Sequence, residues 1–72
     1  MPFIQVTMRE GRSPEAIRSM VSALTAAVVD TGIAPKNGVR VFVNELPATH
    51  IAAGDVTLAE RTEQDQNTRR DA

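Results

Sequence analysis

The chain has 72 residues, room for one domain, with eight Lys and Arg against nine Asp and Glu, a net charge of −1, a single histidine and no cysteine. The near-neutral balance, with only Phe3 and Phe42 as aromatics, argues against a nucleic-acid partner held by charge or base stacking. Without thiols there is no disulfide or thiolate zinc site, and His50 alone argues against a metal cluster.

A domain of ~60 residues buries only about 60% of its unfolded surface and is marginal alone, so association is the remaining source of stability. No apolar run approaches the ~18 residues of a membrane span, and no leader pattern precedes the first strand. The expectation is a soluble, cytoplasmic chain with no membrane partner.

Residues 3 to 8 alternate as a β-strand does, with Ile4, Val6 and Met8 on one face and Phe3, Gln5 and Thr7 on the other. Pro2 stands directly before it. A small penultimate residue favours removal of Met1, which would leave a free secondary amine mounted on a strand. Elsewhere in a chain a proline nitrogen is an amide with no basicity and no proton. A strand-initiating proline with no chemical role is the competing reading.

Gly11 precedes a helix start in which Ser13 is the N-cap, Pro14 the first helical residue and Glu15 an acid at the positive end of the dipole. Ile17, Met20, Val21, Leu24, Ala27 and Val28 then recur every three or four positions, predicting an amphipathic helix over about 14–31. Gly32 suits the C′ position and Pro35 blocks continuation.

Val39 to Glu45 is the second strand, with Val39, Val41 and Val43 on one face and Arg40, Phe42 and Asn44 on the other. Strand, helix, strand at this length is a β-α-β unit with parallel strands and a right-handed crossover. One helix covers one sheet face. Phe3 and Phe42 have the parity of the uncovered face, which together with open edges predicts association.

From Ala48 to Leu58 the pattern weakens, and Gly54-Asp55 suggests the turn of a small hairpin. Beyond Ala59 no apolar residue occurs before Ala72. The expected organisation is a folded domain over residues 1–59 and a polar, disordered tail over 60–72. The fold class is α/β (α+β): a β-α-β subunit with parallel strands and a short C-terminal hairpin, its sheet completed by oligomerisation.

Two arginines stand where a site could use them. Arg12 follows Gly11 at the C-terminal end of the first strand. Arg40 sits among valines in the second, where a guanidinium is costly unless a carboxylate or a ligand meets it. A structural ion pair across a subunit interface and ligand binding both fit that pattern. Arg9 reads as a solvated or interface charge, and His50 as a surface residue.

Met1-Pro2-Phe3-Ile4-Gln5-Val6, then Glu10-Gly11-Arg12-Ser13-Pro14-Glu15, and Val39-Arg40-Val41-Phe42-Val43-Asn44-Glu45 together resemble the 4-oxalocrotonate tautomerase family over roughly residues 1 to 58. The resemblance implies β-α-β subunits whose dimers form four-stranded sheets, three dimers making a hexamer, and a role in aromatic degradation. It implies Pro2 as the general base, Arg12 as the ligand of a substrate carboxylate, and Arg40 of a neighbouring subunit as the group polarising the carbonyl. No cofactor is implied. The chemistry is coherent. An α-amino group titrates near ~8 in the open, and an apolar, cationic pocket disfavours its charged form, giving a base suited to taking a proton beside a carbonyl. The arginines would stabilise the dienolate.

The family commonly has an aromatic residue where Ile51 stands, so the substrate-binding wall stays apolar but loses a flat stacking surface. The family's glycine-rich segment is here Ala52-Ala53-Gly54-Asp55. The leading expectation is an enol-keto tautomerase acting on a small unsaturated 2-oxo or 2-hydroxy acid. A second enzymatic reading is a hydratase or dehalogenase of 3-haloacrylate-like acids, with the proline protonated as an acid. Arg9 beside Arg12 suits it, but the water-activating carboxylate would fall near Ala53, and Asp55 is offset. A non-catalytic subunit or small-acid binder is the reading from another class, against which Pro2, Arg12 and Arg40 together speak.

Overall fold

The computed structural model describes residues 1–63. In chain order it contains β1 (Phe3–Arg9), α1 (Pro14–Asp30), β2 (Arg40–Leu46) and a two-residue hairpin of β3 (Ala52–Ala53) and β4 (Val56–Thr57), with 3-10 turns at Lys36–Gly38 and Ala48–His50. β1 and β2 pair in parallel from Phe3↔Arg40 through Val6↔Val43 to Arg9↔Leu46. This is the β-α-β unit the sequence predicts. The two-stranded sheet is open at its edges.

Local chemistry sets the helix ends. The Ser13 side chain accepts from the Ala16 N–H at 3.1 Å, Pro14 occupies the first turn, and Glu15 lies at the positive end of the dipole. At the other end Thr31 is the cap, and Gly32 takes a φ of 79°, the left-handed conformation a C′ residue needs.

Exposure alternates along both strands. Ile4, Val6, Met8, Val41 and Val43 are half-buried, whereas Phe3, Gln5, Thr7, Arg40, Phe42 and Asn44 are exposed. On α1 the half-buried residues include Ile17, Met20, Val21, Leu24 and Val28, so the helix lies over the first set. On the other sheet face the rings of Phe3 and Phe42 stand 5.9 Å apart. Among the described residues none is fully buried. The protomer therefore has an apolar layer but no sealed core, and its open sheet is of the kind that a second copy completes.

Three details differ from the sequence expectation. β2 begins at Arg40 rather than Val39, because the 3-10 turn holds the Val39 N–H on Lys36 O at 3.4 Å. It extends to Leu46, whose carbonyl accepts the Glu10 N–H at 2.8 Å. Residues 58–63 are helical, whereas a disordered tail was expected from residue 60. Thr57 starts this helix by accepting the Glu60 N–H at 3.1 Å, and Thr62 returns its hydroxyl to Leu58 O at 2.9 Å. The remainder of the expected tail, 64–72, lies outside the described residues.

Candidate active site

Pro2 is half-buried at the head of β1, behind a Met1 that is 75% exposed. Its carbonyl accepts the main-chain N–H of Arg40 at 3.0 Å, extending the parallel ladder by one rung before Phe3. The two strands thus start together, and the register puts Pro2 and Arg40 at the same end of the sheet. The Arg40 guanidinium donates through Nη1 to Asn37 O at 2.8 Å. Asn37 is the contact that sequence reasoning missed. Pro35 followed by Lys36-Asn37-Gly38 signals a turn, but nothing in it says the turn's carbonyl would face the arginine.

Arg9 and Arg12 lie at the other end. β1 runs from Phe3 to Arg9, and at roughly 3.3 Å per residue this puts about 20 Å between the Pro2 end and the Arg9 end. Arg12, just beyond Gly11 with its φ of 115°, lines a shallow groove of about 180 Å³ with Met8, Ala16, Ile17 and Met20. An arginine side chain does not span 20 Å. Within one protomer the main chains of Pro2 and Arg40 meet at one end of the sheet, and Arg12 follows the strand at the other end.

Ile51 is half-buried after the Ala48–His50 turn, and its carbonyl accepts the Leu58 N–H at 2.8 Å, closing the hairpin that follows. The hairpin turn has Gly54 at φ 60° and Asp55 at φ 71°, the paired left-handed conformation of a two-residue hairpin loop. Ala53 pairs with Val56, and exposed Asp55 sits at the tip. His50 is exposed. Among the described residues no group of three His, Cys, Asp or Glu side chains could hold a metal ion, and no helix is long and apolar enough to cross a membrane.

Comparison with known proteins bears on this arrangement. The family model described as "Tautomerase enzyme" matches residues 2–61. A probable tautomerase of Ralstonia nicotianae is 50% identical over 50 residues, covering 69% of this chain and 71% of that protein. Among solved structures, TomN, a 4-oxalocrotonate tautomerase homologue of the tomaymycin biosynthetic pathway, superposes with a TM-score of 0.83 at 42% identity, covering 86% of this chain and 95% of TomN. A heterohexamer 4-oxalocrotonate tautomerase from Chloroflexus aurantiacus superposes with a TM-score of 0.79 at 37% identity, covering 83% and 97%.

Proposed function

This chain belongs to the 4-oxalocrotonate tautomerase family and is an isomerase of the tautomerase type, and from that premise we propose that it moves a proton along a small unsaturated 2-oxo or 2-hydroxy acid with Pro2 as the general base. Loss of the exposed Met1 frees the Pro2 nitrogen as a secondary amine. The amine takes a proton from the carbon beside the carbonyl of a 2-oxo acid, or from the hydroxyl of a 2-hydroxy (enol) acid, leaving an enolate or dienolate with its charge on that oxygen. It then returns the proton to another carbon of the conjugated chain, so no atom is gained or lost.

Arg40 of a neighbouring copy donates to the developing oxyanion, and Arg12 binds the substrate carboxylate as a bidentate partner. Arg9 adds positive charge near Arg12, and Ile51 supplies an apolar wall. The observation that supports this reading is Pro2 at the head of β1, its carbonyl held by the main-chain N–H of its own protomer's Arg40 at 3.0 Å, a rung separate from the side chain that the neighbouring copy's Arg40 would offer. The ~20 Å between the Pro2 and Arg9 ends supports a site shared between copies. The assembly proposed is a hexamer of three dimers, each completing a four-stranded sheet. The open sheet, the absence of a fully buried residue among those described and the heterohexamer relative support it.

The test is an intact mass followed by ketonisation assays with 2-hydroxymuconate and phenylenolpyruvate. Turnover by protein that retains Met1 would rule Pro2 out as the base.

A further inference from the structure

Arg40 is tied at two points. Its main-chain N–H holds Pro2 O at 3.0 Å, and its Nη1 holds Asn37 O at 2.8 Å, with Val39 O at 3.5 Å from the same nitrogen. The Asn37 carbonyl belongs to a turn closed by Gly38 N–H to Pro35 O at 2.9 Å and by Val39 N–H to Lys36 O at 3.4 Å. A guanidinium carries five N–H donors in a rigid planar fork. A fork held at Nη1 is restrained toward the turn, and its Nε and Nη2 donors are left for another acceptor.

We propose that the Lys36–Gly38 turn is a positioning element for Arg40, with the Asn37 carbonyl as the group that sets the guanidinium for the reacting oxygen. This rests on the role given to Arg40 above. A donor already oriented needs no reorganisation as charge develops on the substrate, whereas a swinging side chain does. The turn acts on the charge that appears during reaction, so its loss falls on kcat and leaves KM nearly unchanged.

Gly38→Pro is the decisive variant. It removes the N–H that closes the turn onto Pro35 O and disfavours the turn conformation at Asn37. Gly38→Ala is the control, because a Cβ there meets Pro35 at an ordinary 3.6 Å. With 2-hydroxymuconate as substrate, Gly38→Pro should lower kcat about tenfold, the scale of one hydrogen bond, with KM within about twofold, and Gly38→Ala should match wild type. In an Arg40→Ala background, Gly38→Pro should have no further effect on kcat. If Gly38→Pro does not assemble, Pro35→Ala loosens the same turn by releasing a φ of −70°, and the same cycle applies.

An unchanged kcat in Gly38→Pro, or an equal fall with and without Arg40, overturns the positioning role. A wild-type kcat in Arg40→Ala alone overturns instead the catalytic role of Arg40 on which it rests.

Discussion

The rings of Phe3 and Phe42 lie 5.9 Å apart, centroid to centroid and tilted by 31°, on the sheet face that α1 does not cover. They are 63% and 47% exposed. Register explains the pairing: Phe42 stands opposite Gln5, two residues along from Phe3, so the rings meet diagonally across the strands. Covering a large apolar side chain is worth about 1.5–3 kcal/mol, so an uncovered aromatic pair on a protomer with no fully buried residue among those described is a strong incentive to associate. Phe42→Asp should therefore break the proposed hexamer into smaller species, measured by light scattering at micromolar concentration. A stable folded monomer of the unaltered chain under those conditions would remove the basis for the assembly.

The amine of Pro2 can be removed without removing the residue. Retaining Met1, or adding one residue before Pro2, converts the nitrogen to an amide, and turnover should be abolished. Pro2→Ala leaves a primary amine that is still a base but less rigid, so activity should fall without vanishing. Mass spectrometry on the same samples confirms which terminus was assayed.

The two arginines should separate kinetically. On the proposed roles, Arg12→Ala removes a charge-assisted carboxylate contact of about 1.5–3 kcal/mol, so KM should rise roughly 10- to 100-fold with a smaller change in kcat. Arg40→Ala removes the proposed donor to the developing oxyanion, so kcat should fall roughly 100- to 1,000-fold. Equal effects of both substitutions on KM alone would mean that neither acts on the transition state.

Ile51→Trp should improve activity on dienol acids by supplying a flat surface for the conjugated chain. The readout is kcat/KM for 2-hydroxymuconate against the unaltered protein. No gain would place Ile51 outside the substrate wall.

Ser13→Ala should cost about 1 kcal/mol by leaving the Ala16 N–H without its cap. Thermal unfolding at one fixed protein concentration measures it, and activity per folded protein should stay unchanged.

Where local chemistry decides the backbone, the sequence is readable. Ser13, Pro14 and Gly32 mark the helix ends found in the structure, and Gly54-Asp55 marks a hairpin turn that only unusual φ angles can make. The helical segment at 58–63 was also legible in principle, since Thr57 followed three residues later by Glu60 is a capping-box pattern, yet the polar composition after it equally suits a disordered tail. The arrangement of the candidate site was legible only in part. Parallel strands already put Pro2 and Arg40 at one end and Arg12 at the other, and the register bears this out, but spacing along the chain says nothing of which copy supplies each arginine. The Asn37 contact depends on where one carbonyl points, which no residue pattern encodes.

A protomer with no side chain fully buried among its described residues has one more consequence. In the proposed assembly, association would supply much of the stability that the protomer lacks, so dilution should destabilise the chain. The midpoint of thermal unfolding should climb with protein concentration, and specific activity should fall on dilution toward the dissociation range. The enzyme would then be governed by mass action, its abundance setting the fraction of chains that possess a site at all.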